Sequence, residues 1–364
     1  VRRLPGLSVP GHSAEECRRP DAARRTLMAR LELATLTRTI TADALAHPSD
    51  LGPMLARRHS VSRGTITKQL KRLVESGWLE RSGITRPHFK PGIQREVTTE
   101  YAVAGLDEHG PWLRDVFPVL SLSPAVARTA QHVFGELLNN AIDHAAASTV
   151  KVSVRQTPSH LHILIGDDGL GVFDQLAQKA ALPDAQRAAL EISKGRLTTQ
   201  PECHGGRGLF FVARMVDAMN LQSNGQVLQW RHRGESVQFR THPLKRTGTT
   251  VFVSLALDST VRPTDTYSAF GSEDAPLDFS RTQVPLRLLT DNGLTLDSRA
   301  QARWVVSRLE LFATAELDFD GVDDVGPSFI DEVFRVYAKA HPQVALRPTK
   351  ASERVEKLLK GSVH

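Results

Sequence analysis

Strict alternation of apolar and polar positions marks residues 150–154 and 161–165 as two antiparallel strands, joined by a turn at Pro158 and Ser159. Elsewhere the spacing is helical. Val133, Leu137, Leu138 and Ala141 form one apolar stripe, and Leu209, Val212, Met215, Val216 and Met219 form another. Nearer the start, helices are expected over 22–39, over 50–58 with Ser49 as cap, and over 63–76 with Ser62 as cap and Gly77 as stop. In the last of these Ile66, Leu70, Leu73 and Val74 point inward. Residues 78–81 and 95–103 alternate like the arms of a hairpin joined by the basic loop RPHFKPG. Towards the other end the order is strand 283–289, helix 298–312, strand 315–319, helix 328–340, strand 343–346 and helix 351–360, the pattern of a small α/β layer.

Composition divides the 364 residues. Residues 1–100 hold 18 Lys and Arg against 10 Asp and Glu, net +8, while the whole chain is +6, which leaves −2 for the other 264. The basic excess therefore belongs to the N-terminal region. Ser, Thr, Asp and Pro accumulate over 259–276, which reads as a linker, and residues 1–20 read as loose. Cys17 and Cys203 have neither disulfide-framework nor zinc-like spacing. No run of eighteen apolar residues and no apolar signal core occur, so a cytoplasmic protein without membrane contact is expected. The expected divisions are 21–105, 106–258 and 277–364.

Three segments and a dipeptide carry chemistry. In ELLNNAIDHA, Glu136 and Asn140 are four residues apart, with Asp143 and His144 at the next helical step, so all four are expected on one face. A carboxylate can take a proton there while the amide oxygen ligates magnesium without adding charge. In GDDGLGVF, Gly169 and Gly171 allow a sharp turn and close approach, and Asp167 can accept a hydrogen bond from an exocyclic amine. HGGRGLFF places Gly206, Arg207 and Gly208 at the start of a helix, a ready anion site. Gly248 and Thr249 follow on a strand.

These boxes, in this order over residues 110–258, resemble the GHKL ATPase superfamily, which includes gyrase B subunits, mismatch-repair ATPases, histidine kinases and anti-sigma serine kinases. The resemblance implies ATP and Mg2+ as ligands and an α/β sandwich with a mixed sheet and helices on one face. It makes Glu136 the general base, Asn140 the magnesium ligand and Asp167, with Thr249 beside it, the adenine reader. Gly169 and Gly171 become the floor of the pocket, and Gly206, Arg207 and Gly208 the phosphate cradle. Residues 174–205 become a lid, with Lys194 and Arg196 as phosphate contacts.

The segment ARRHSVSRGTITKQLKRLVESGWLERSG resembles a bacterial winged helix-turn-helix. That likeness implies double-stranded DNA as partner, with Arg63, Thr65, Thr67, Lys68 and Lys71 facing the major groove and Arg86, His88 and Lys90 touching phosphates from the wing. It also implies a homodimer, since one recognition helix supplies limited specificity.

LDFDGVDDVGPSFIDEVFRVYAKAHP resembles the central segment of STAS-like domains found behind GHKL domains. Anti-sigma serine kinases phosphorylate a serine at the corresponding helix start, which is Ser328 here, although Gly326-Pro327-Ser328-Phe329 stands where Asp-Ser-Ser-Gly is expected. Asp318, Asp320, Asp323 and Asp324 form an acidic cluster nearby, open to magnesium or solvent. The fold expectation is multidomain α/β and α+β: winged helix, GHKL sandwich, STAS-like domain. Two functional classes remain, a kinase acting on Ser328 or a partner protein, and an ATP-dependent switch that controls DNA or partner binding.

Overall fold

The computed structural model of the protein describes residues 33–197, 206–243, 246–272, 274–290 and 295–361. The expected loose segment 1–20, Cys17, Cys203, His204, Gly205, residues 22–32 of the first expected helix and 198–205 of the expected lid lie outside the described residues.

The basic region folds as α1 (Leu33–Thr37), α2 (Ile40–Ala46), α3 (Leu51–Arg58) and α4 (Arg63–Glu75), followed by β1 (Leu79–Ser82) and β2 (His88–Pro91). Ile66, Leu70 and Leu73 recur at helical spacing and are buried with Leu36, Ile40, Leu51, Leu55, Trp78 and Phe89 in a core of their own. Ser62 Oγ accepts the Thr65 N–H at 3.1 Å, fixing the start of α4 as expected. Asp50, not Ser49, occupies the N-cap position of α3. The hairpin differs from its expectation. β1 pairs with β2, and the alternating stretch expected as its second arm forms β3 (Arg95–Ala102), which pairs along its length with β4 (Thr149–Gln156). Alternation states that a segment is a strand; the partner is set by packing that the local pattern does not contain.

The second unit is a seven-stranded sheet in the order β3, β4, β5 (His160–Asp167), β9 (Thr249–Ala256), β6 (Ala218–Ser223), β7 (Gln226–Arg231) and β8 (Ser236–Thr241). Every pairing is antiparallel, so the expected mixed sheet is corrected. Sequential hairpins β4–β5, β6–β7 and β7–β8 dictate that sense, and β9 returns between β5 and β6 antiparallel to both. Inward residues such as Val150, Val152 and Val154 are buried beneath α5 (Pro124–Asn139) and α8 (Gly208–Met215), while Lys151 and Arg155 on the other face stay exposed.

The segment expected as a polar lid contains α6 (Val172–Lys179) and α7 (Ala185–Lys194). Residues 188–194 of α7 are all buried, because its far side packs on the third unit. That unit has a three-stranded parallel sheet in the order β10 (Arg281–Pro285), β11 (Thr314–Asp318) and β12 (Ala345–Thr349). Around it lie α10 (Arg299–Val306), α11 (Pro327–Ile330, continued as a π-helical stretch Asp331–Tyr337) and α12 (Glu353–Gly361). The alternation read from the sequence is thus recovered.

The stretch expected as a linker is instead a strap with a helix, α9 (Pro263–Ala269). Its Val261 carbonyl accepts from Thr129 Oγ1 on α5 at 2.8 Å. Phe270 packs edge-on against Phe210 of α8 at a 5.0 Å centroid separation. Phe279 then bridges Phe210, Phe211 and Phe312, so the second and third units share one hydrophobic core. Ser, Thr and Asp set the average composition, but a few aromatic anchors set the packing.

Candidate nucleotide site

A cavity of about 300 Å³ opens between α5, α6, α7, α8 and the ends of β5 and β9. It is lined on one side by Leu137, Ile165, Val172, Leu176, Leu221 and Val251, a slot suited to an apolar planar group. Glu136, Asn140, Asp167, Gly206, Arg207, Gly208 and Thr249 supply its polar rim.

Asp167 closes the inner end. It is 7% exposed, and its Oδ1 accepts the N–H groups of Gly169 and Thr249, each at 3.0 Å. Burial pushes its carboxyl above the ordinary range, outweighing the two backbone N–H groups that stabilise the anion. Both of those bonds use one oxygen, which leaves the other for a donor within the cavity. The adjacent Asp168 does different work. It is exposed and takes bonds from the backbone and hydroxyls of Ser148 and Thr149, which hold its carboxyl far below the ordinary range and pin the start of β4. Thr249 is bound at both ends, its N–H to Asp167 and its Oγ1 accepting the Val172 N–H at 3.1 Å.

Gly169 and Gly171 are not among the described residues that line the cavity. They shape the turn behind Asp167. Gly171 has φ +91°, and a Cβ there would lie 2.4 Å from Asn224 Nδ2.

At the other end, the helix of ELLNNAIDHA widens into a π-turn over Asn140–His144. Glu136, Asn140 and His144 line the cavity; Asp143 does not, because the π-turn shifts its side chain off the expected face. Asn140 Nδ2 donates to the Glu136 carbonyl at 2.8 Å, which turns its Oδ1 away from the helix and leaves it as an acceptor. That orientation fits a magnesium ligand. Among the described residues no group of three His, Cys, Asp or Glu could hold a metal by itself, so the remaining ligands would come from phosphate and water. Gly208 begins α8 directly against the carboxylate: a Cβ there would lie 2.3 Å from Glu136 Oε2. Gly206, Arg207, Gly208 and Leu209 at this helix start line the same cavity as Glu136, and a helix start suits an anion.

Lys194 and Arg196 are corrected. Lys194 is 1% exposed; its ammonium donates to Glu191 Oε1 and to the carbonyls of Trp304 and Ser307 at 2.8 and 2.9 Å. It fastens α7 to the third unit. Arg196 donates to the Phe279 carbonyl and lies over the Phe312 ring. Neither lines the cavity.

Sequence reasoning missed His132 and Tyr267. Tyr267 Oη and His132 Nε2 share a hydrogen bond at 3.0 Å, and the same nitrogen is 3.9 Å from Glu136 Oε1. Burial, and next the Glu136 charge, push the phenol up to about 12. His132 stands one helical turn before Glu136, which was a readable signal; Tyr267, 131 positions further along, was not.

Arg63, Thr65, Thr67, Lys68 and Lys71 are all exposed on α4, and Arg86 and Lys90 are exposed in the hairpin. Ser328 is exposed at the second position of α11, where Gly326 is the N-cap. No described residue of the third unit lines the cavity. In the acidic cluster Asp318 pairs with Lys350, Asp320 with Arg287 and Asp324 with Arg354. No helix among the described residues is long and apolar enough to cross a membrane.

Comparison with known families agrees with this geometry. No curated protein matches the chain. Residues 301–356 match the model of a STAS-like domain of unknown function, and residues 111–232 match that of the histidine kinase-like ATPase domain. The chain therefore carries a histidine kinase-like ATPase domain followed by a STAS-like domain.

Proposed function

We propose that this chain is a DNA-binding regulator in which bound Mg-ATP, hydrolysed slowly, sets the conformation. The observation that carries the reading is convergence: Glu136, Asn140, Asp167, Thr249 and the start of α8 meet in one cavity although they span 114 positions of sequence. The Asp167 carboxylate accepts the adenine amine while the apolar wall takes the ring. Arg207 and the α8 N–H groups hold the phosphates, and Glu136 accepts the proton of an attacking water. Magnesium, held by Asn140 Oδ1 and the phosphates, supplies charge neutralisation when bound.

The N-terminal unit supports the DNA half of the reading. A basic, exposed face on α4 and a two-stranded hairpin carrying Arg86 and Lys90 suit a major-groove helix with a wing, in a homodimer that reads two half-sites. Glu96 N–H donates to Thr41 Oγ1, and Arg155 lies 5.2 Å over the Trp78 ring, so this unit rests on the ATPase sheet. Nucleotide can act on it through those contacts by favouring one of two arrangements.

Phosphotransfer to Ser328 is the second reading, favoured by the exposure of that serine at a helix start. Because no described residue of the third unit lines the cavity of its own chain, the acceptor would be presented by another copy. Incubation with magnesium and γ-labelled ATP decides between them. Free phosphate that disappears in Glu136→Gln, with the chain unlabelled, is the expected result. Label that disappears in Ser328→Ala establishes transfer, and absence of both signals refutes any action on ATP.

A further inference from the structure

The strap between the ATPase and STAS-like domains reaches the base. α9 crosses α5 beside it, with Val261 held by Thr129 and Tyr267 held by His132, one turn apart on the helix that carries Glu136. The Tyr267 ring is fixed independently of its hydroxyl: it packs on Phe211 at a 4.2 Å centroid separation, edge-on to His132 at 5.7 Å, with the Arg207 guanidinium 5.8 Å from its centre. His132 Nε2 thus has two neighbours, the Tyr267 hydroxyl within hydrogen-bond distance and Glu136 Oε1 at 3.9 Å, just beyond it.

One nitrogen cannot serve both neighbours in the same state. If the phenol donates to Nε2, the neutral imidazole carries its proton on Nδ1 and has no N–H to give Glu136. If the phenol is absent, an Nε2–H can turn to Glu136 Oε1 and take up one of its two oxygens, in competition with the proton from water.

We propose that Tyr267 is a positioning residue for the ATPase site: its hydroxyl holds His132 in the Nδ1–H tautomer and so keeps Glu136 free as a base. The residue comes from outside the ATPase fold, and the same strap continues through Phe270 into the aromatic cluster shared with Phe279 and Phe312. The strength of the base therefore depends on how the STAS-like domain is seated.

This rests on the ATP reading of the cavity, and the experiment separates the two. In the full chain with magnesium, binding of a fluorescent ATP analogue and loss of the γ-phosphate from ATP, to water or protein, are measured for wild type, Tyr267→Phe, and Tyr267→Phe with His132→Ala. Phenylalanine keeps the ring packing, and an unchanged melting temperature verifies that. The expected result is nucleotide affinity within about twofold of wild type and a turnover lower by about tenfold to a hundredfold in Tyr267→Phe. Turnover then recovers partly in the double variant, where no imidazole N–H remains to occupy Glu136. Undiminished turnover in Tyr267→Phe, parallel loss of affinity and turnover, or a further fall in the double variant overturns the assignment alone. Wild-type protein that neither binds nor consumes ATP overturns the ATP reading and this inference with it.

Discussion

Lys194 Nζ donates to the Trp304 carbonyl at 2.8 Å, a bond that runs from the ATPase domain into the STAS-like domain. Its charge is balanced by Glu191, itself buried, with Arg308 3.9 Å away on the far side. The same helix presents Ile192 to the cavity, so one face of α7 forms the nucleotide wall while the other is held by the neighbouring domain.

Lys194→Met should therefore act on stability. Removing Lys194 leaves the buried Glu191 with only Arg308, at 3.9 Å, and costs about 3–5 kcal/mol. Chemical denaturation should show this loss, with nucleotide affinity retained under native conditions. A phosphate-binding lysine would give the opposite result, weaker ATP binding at unchanged stability.

Asp167 gives a pH signature. Burial favours its neutral form, so it protonates at a higher pH than the usual Asp value of about 3.9. Oδ1 already accepts two N–H groups, so the proton goes to Oδ2, the oxygen left to accept from the adenine amine. Affinity for ATP should fall as the pH is lowered through this raised range, and Asp167→Asn should bind weakly without that acid limb. Titrations of both proteins across the acid range check it, with the variant accounting for protonation of the nucleotide itself.

Four of the cavity's polar residues were legible because their motifs are local. Glu136 and Asn140 are one turn apart, and Asp167 and Thr249 sit beside glycines at strand ends. What failed was non-local. Lys194 reads as a lid residue able to reach phosphate until a second domain is seen to cover it. Residues 95–102 alternate identically whether they pair with a wing or with β4. Tyr267 sits in a polar, Pro-containing stretch whose average composition hides its two aromatic anchors. Pairing, burial and long-range contact are decided by the whole fold, which is also why the turn that displaces Asp143 could not be read from a regular helical period.

Gly208→Ala should separate turnover from folding. The new methyl would meet Glu136 Oε2 at 2.3 Å, and the contact is with the movable end of a side chain, so the fold can adjust while the base is displaced. A misplaced base costs up to about a hundredfold in rate. Phosphate release at saturating ATP should drop while the melting temperature changes little.

For the proposed DNA contacts, replacing Arg86 and Lys90 of the wing together with Ala should weaken binding to all duplexes. It should also lower the slope of log affinity against log salt by about one unit per lost phosphate contact. Fluorescence anisotropy at several salt concentrations measures both. Because these residues lie outside the ATPase domain, ATP consumption in the absence of DNA should be unaffected.

The Mg-ATP reading of the cavity rests on Asn140 and Asp167. Calorimetric titration of the full chain with ATP, with and without magnesium, checks it. One saturable site per chain that requires magnesium is expected, with binding of Mg-ATP weakened in both Asn140→Ala and Asp167→Asn. Wild-type protein without saturable binding, or both variants binding Mg-ATP as the wild type does, would refute that reading.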